Sequence, residues 1–221
     1  LKLSDPRINS LEVTSSVSKL TENHVKILSE KLEGKVKYVT PVYSVNVNIY
    51  DLKKNKTRSH GMAMTFRPDD PVLKEILHTA KNLPLGGGAL LPFVTDIENW
   101  KGIIIKRSSM ERFNYAEDAD SVVVRFVNFN ENTNEFIPAL VVDTPLPFNK
   151  RMMIRESFYL DAYQTIESES KPDMRYIVLY PNSINDTLEI KKIIESLDGF
   201  EIKEAFKVLS KIKVINEVKK Q

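Results

Sequence analysis

A chain of 221 residues with 42% hydrophobic side chains can bury a full core, so wholesale disorder is excluded and the length suits one large or two small domains. Lys and Arg number 32 against 30 Asp and Glu, a formal charge of +2 that by itself names no polyanionic partner. Zero cysteines exclude disulfide scaffolds, cysteine-bearing zinc sites, iron–sulfur clusters and thiol nucleophiles, and no run of eighteen apolar residues exists to cross a bilayer.

The opening stretch, Leu1-Lys-Leu-Ser-Asp-Pro-Arg-Ile, has neither the apolar core of a signal peptide nor the Arg/Ser-rich pattern of a transit peptide. The expectation is therefore an intracellular setting, cytoplasm or virion. A first helix is predicted from Leu20 to Leu32, with Thr21 as N-cap, Leu20, Ile27, Leu28 and Leu32 on one face, and Gly34 as the stop. Tyr43, Val45, Val47 and Ile49 then alternate with polar residues, as do Met62, Met64 and Phe66, so residues 42 to 66 read as a long β-hairpin. Asp70 and Pro71 open a second helix carrying Val72, Leu73, Ile76, Leu77 and Ala80. Gly86, Gly87 and Gly88 follow in a proline-containing segment and read as a flexible loop.

Strands are expected at 89–95, 101–107, 121–129 and 136–143, the last two forming a second hairpin, with Pro138 marking an edge or a bulge. Residues 149–167 read as helix without a clean stripe, followed by a polar connector. A strand from Met174 to Tyr180 and a helix over 187–197 come next, then a helix that Ile202, Ala205, Phe206, Leu209 and Ile212 would fit, with a strand from Phe200 as the alternative. The predicted class is α+β: a β-rich body with long antiparallel hairpins and two helices over 1–148, and a more helical α/β segment over 149–221 packed on the same core.

Divided by segment, the charge is uneven. Residues 1–112 carry 18 basic and 12 acidic side chains, and residues 113–148 carry 1 and 6. Lys35, Lys37, Lys53, Lys54, Lys56, Arg58 and Arg67 supply much of the first excess, and Tyr50 offers a stacking face, a pattern suited to nucleic acid or an acidic partner. Glu117, Asp118 and Asp120 form the opposing acidic surface, without the glycine and terminal glutamate of an EF-hand loop.

Catalytic patterns are sparse. The glycine loop has neither Walker nor dinucleotide spacing, and His24, His60 and His78 make no zinc pair. No nucleophile elbow occurs. Pro172-Asp173 with Glu189-Ile-Lys191 is similar to the carboxylate–lysine arrangement of metal-dependent nucleases, but places the last two on a helix. Trp100, Phe126, Phe129, Phe136 and Phe148 read as core or interface anchors.

The resulting expectation is a non-enzymatic component of a macromolecular assembly, a viral or mobile-element structural protein or a nucleoprotein subunit, acting through charged hairpins. No cofactor, no metal and no membrane are expected; a protein partner or self-association is. The alternatives are a nucleic-acid-binding protein acting alone and a metal-dependent nuclease.

Overall fold

The computed structural model describes residues 5–51, 54–81, 103–113, 123–126, 137–142, 146, 152–164 and 173–204. In chain order its elements are α1 (Pro6–Asn9), β1 (Leu11–Ser15), α2 (Glu22–Lys31), β2 (Val36–Asp51), β3 (Lys56–Phe66), α3 (Pro71–Lys81) and β4 (Ile103–Lys106). Short 3-10 turns at Arg107–Ser109 and Glu111–Phe113 precede β5 (Val123–Phe126), β6 (Ile137–Val142), β7 (Met152–Arg155), α4 (Glu156–Gln164), β8 (Met174–Pro181), α5 (Asp186–Glu195) and β9 (Phe200–Glu204). The chain is α+β and rich in β-structure, as its periodicities predict. It divides into two compact units, residues 1–42 with 173–221, and residues 43–172.

The first unit follows a β-α-β-β-α-β path, with strands in the order β2-β8-β1-β9. Each helix joins two strands that hold a third between them: α2 links β1 to β2 across β8, and α5 links β8 to β9 across β1. That is the split β-α-β arrangement, and β1 pairs antiparallel with both of its neighbours. Alternation decides what is buried. Leu11 and Val13 of β1 pack with Ile177 and Leu179 of β8, and Leu28 and Leu32 from α2 and Ile190 and Ile194 from α5 close the core. Each such side chain contributes about 1.5–3 kcal/mol by leaving water.

Helix α2 starts where Thr21 predicts. The Thr21 N–H donates to Nδ1 of His24 at 3.0 Å, so histidine takes the reciprocal role that Glu or Gln usually fills in a capping box. Gly34, at φ 76°, ends the helical segment in the left-handed region. The turn is fastened to β8 by Asn182, whose backbone N–H donates to the Lys35 carbonyl at 2.9 Å and whose side-chain amide donates to the Gly34 carbonyl at 2.7 Å.

Between β2 and β8 the chain leaves this unit to build the second. There β2 pairs with β3, β3 with β7, β7 with β4, β4 with β6, β6 with β5, and β5 again with β2. Six strands thus close into a ring, which removes the sheet edges that an open arrangement would expose. Two pairings, β3 with β7 and β4 with β6, are parallel. Ile103, Ile104 and Ile105 are all 0% exposed, so β4 is covered on both faces. Helix α3 adds Val72, Leu73 and Ile76 to the interior, and Asp70 caps it by accepting the Val72 N–H at 2.8 Å.

Two expectations differ from what forms. Residues 152–155 are a strand, not part of a helix over 149–167, because Met152, Met153, Ile154 and Arg155 are buried without alternation. Strand β6 is interior, lying between β4 and β5, although it contains Pro138. Its ladder with β4 begins only at Ala139, so the missing N–H interrupts nothing there. The chain returns to its first unit at residue 173. Phe200–Glu204 forms a strand, the alternative weighed for that stretch. Among the described residues no helix is long and apolar enough to cross a membrane.

Candidate functional site

The tip of the β2–β3 hairpin is built around Asp51. Its carboxylate accepts the Lys54 N–H at 3.1 Å and the Arg58 guanidinium at 2.8 Å. Arg58 foremost, then the Lys54 amide, holds the Asp51 carboxyl below the ordinary carboxylate range. Asn55, at φ 49°, makes the left-handed turn and accepts the Tyr50 hydroxyl at 2.8 Å. A register shift between Ile49 and Tyr50 marks an irregularity of the ladder just before the tip.

Below the tip, Val45, Val47 and Ile49 are buried, and the residues between them present the other face of β2. Register places Asn46 opposite Met62, and Asn48 opposite both His60 and Arg125. Residues directly opposite share a face, so β2, β3 and β5 display one continuous outward surface. It is ordered by its own contacts. Asn48 Oδ1 lies 2.6 Å from His60 Nδ1, and the Arg125 guanidinium stands 5.7 Å from the centre of the Tyr50 ring. Met62, opposite Asn46 on the same face, is 42% exposed.

Three of the seven cations singled out in the sequence have carboxylate partners. Arg58 pairs with Asp51, Arg67 donates to both oxygens of Glu156 at 3.0 and 3.1 Å, and Lys35 reaches Glu189 at 2.8 Å. Lys37, Lys54 and Lys56 are exposed, while Lys53, Glu117, Asp118, Asp120, Gly86, Gly87 and Gly88 lie outside the described residues. Lys35 and Lys37 belong to the first unit and the hairpin tip to the second, so the set is not one element's patch. Arg125 was missed, because only the long-range β2–β5 pairing brings it to Tyr50.

The nuclease pattern is not assembled. Asp173 Oδ1 accepts Lys19 Nζ at 2.9 Å at the foot of β8, while Glu189 and Lys191 stand on α5 with Glu189 engaged by Lys35. No group of three or more His, Asp or Glu side chains is placed to hold a metal ion among the described residues.

No protein-family model and no curated protein matches the chain. Among solved structures it is similar to the periplasmic region of MacB from Actinobacillus actinomycetemcomitans, at 13% identity and a TM-score of 0.46, over 93% of this chain and 92% of that one. At that distance the likeness assigns no activity. It is nevertheless a likeness to a bacterial periplasmic region and not to a virion or nucleoprotein component. The expectation of a viral or mobile-element assembly protein, its nucleic-acid and nuclease alternatives, and the cytoplasmic or virion setting are corrected accordingly. The ion pairs above bear on the charge argument: the two arginines of the hairpin region are each answered by a carboxylate, Arg58 by Asp51 of the same hairpin and Arg67 by the distant Glu156.

Proposed function

We propose that this chain is a protein-binding module whose contact surface is the outward face of β2, β3 and β5, with Tyr50, His60, Met62 and Arg125 at its centre. The observation that carries this reading is the Arg125–Tyr50 cation–π pair on the same outward barrel face as an exposed methionine. Tyrosine, arginine and methionine are residue types enriched at protein interfaces, and Tyr50 and Arg125 are held in place before any partner arrives, which lowers the entropy lost on binding. Lysines at the tip serve as a soluble rim in this reading, not as the contact itself.

A photo-crosslinking residue at position 62 tests it, with position 188 as the control, since Leu188 is another exposed apolar side chain, at 40%, on α5 of the other unit. A discrete protein adduct is expected from position 62 and not from 188, and Tyr50→Ala should abolish it. An adduct of twice the chain's own mass would make the partner a second copy. Equal crosslinking at both positions, or an adduct indifferent to Tyr50→Ala, would refute the proposal.

A further inference from the structure

We infer that Arg155 anchors a buried oxyanion site in the second unit, where the parallel strands β3 and β7 run out into α3 and α4, and that its ligand is a small carboxylate or phosphate. Arg155 is only 6% exposed, and its Nε has no hydrogen-bond partner among the described residues. A buried polar group in that condition calls for an unseen counterpart. Arginine cannot escape by deprotonating, as a buried lysine does, so its charge must be balanced by an anion.

The carboxylates that sequence and register place closest are committed elsewhere. Arg155 lies opposite Phe66, the residue before Arg67, and Arg67 donates to both oxygens of the adjoining Glu156. Asp70 spends Oδ1 on the Val72 N–H at the start of α3. Arg67 and Glu156 therefore cancel, and the second guanidinium is left over.

The backbone at the same point also suits an anion. Helix α4 begins at Glu156, immediately after Arg155, and spans 9 residues, so its first amides and the positive end of its dipole start at the residue next to Arg155 in the chain. The ends of parallel strands that lead into helices are where α/β sheets commonly hold ligands. Guanidinium geometry matches two oxygens of one planar or tetrahedral oxyanion.

The test is thermal unfolding of the whole chain at fixed ionic strength, titrating inorganic phosphate, acetate or chloride. A rise in Tm that grows with the logarithm of phosphate or of acetate concentration, but not of chloride, is expected, reaching roughly 5 °C at a hundredfold excess over Kd. Which of the two acts identifies the ligand as phosphoryl or carboxylate. Arg155→Met should lose the response while remaining at least as stable as wild type in chloride, since it removes an unbalanced buried charge; Arg155→Lys should keep a weaker response. No logarithmic rise in the wild-type protein with either anion would overturn the inference. So would a full response in Arg155→Met, or a chloride Tm in that variant several degrees below wild type, which would show that the guanidinium already has a protein partner.

Discussion

Gly61 offers a quantitative test of the barrel. It stands opposite Val47 in the β2–β3 ladder, and a Cβ added there would overlap Cε of Met152 and lie 3.3 Å from Cε1 of Phe113. Alanine at this position relieves the strand penalty of glycine, about 0.5–1 kcal/mol, and incurs an overpacking cost of about 1–3 kcal/mol. Met152 yields at the far end of an unbranched chain, which favours the lower part of that range. Gly61→Ala should therefore destabilise by about 1 kcal/mol. Met152→Ala empties a fully buried site and should cost about 3 kcal/mol. In the double variant the new methyl enters the space that Met152 vacates, so the combined cost should fall short of the sum by about 0.5–1 kcal/mol or more. Equilibrium urea unfolding followed by circular dichroism measures all three. Additivity within about 0.3 kcal/mol would refute the placement of β3 against β7, because uncoupled residues add in that way.

Two further predictions concern carboxylates. Asp51 is held below its usual value of 3.8 by Arg58 first and the Lys54 amide second, so its stabilising effect is present above the unfolded value and is lost as pH falls through the lower folded one. Carboxyl-carbon NMR should place its midpoint below 3.8, with Arg58→Ala moving it upward; a wild-type midpoint at or above 3.8 would contradict the pairing. For Asp5, burial raises the pKa but the hydrogen bonds and charge of Arg7 outweigh it, leaving a net lowering. The pair is buried, with Arg7 Nε donating to Asp5 Oδ1 at 2.9 Å. Arg7→Met should cost about 3–5 kcal/mol by stranding the carboxylate, and Asp5→Leu combined with it should recover most of the loss. Equal unfolding midpoints for the single and double variants would count against that account.

Local signals carried much of the secondary structure. Thr21, Gly34, Asp70 and Pro71 mark helix ends because capping is decided within a few residues, and the alternation from Tyr43 to Phe66 survives because that hairpin has one solvated face. The four residues of β7 were illegible for the opposite reason. Buried on both faces and followed at once by a helix, Met152–Arg155 has no period to detect. The insertion was illegible as well, since β2 runs as one strand from Val36 to Asp51 and nothing local signals that Val42 and Tyr43 belong to different units. At the proposed contact surface, Tyr50 was legible as an exposed aromatic on an alternating strand. Arg125 was not, because its place over that ring follows from a pairing across some 75 residues of chain.

The same distinction governs the charge. Counted along the chain, residues 1–112 and 113–148 look like a basic part and an acidic part. Counted by compact unit, the first holds 16 basic and 13 acidic side chains and the second 16 and 17, so the hairpin cations and the acidic stretch fall within one nearly neutral unit. Electrostatic attraction acts over about 10 Å at moderate salt, a distance that chain order does not measure and packing does. Arg58 meets Asp51 within its own hairpin, Arg67 meets Glu156 across the β3–β7 ladder, and Lys35 meets Glu189 on α5. What deserves explanation is then no longer a surplus of lysines at a hairpin tip. It is the one strongly buried cation, Arg155, that shows no such answer among the described residues.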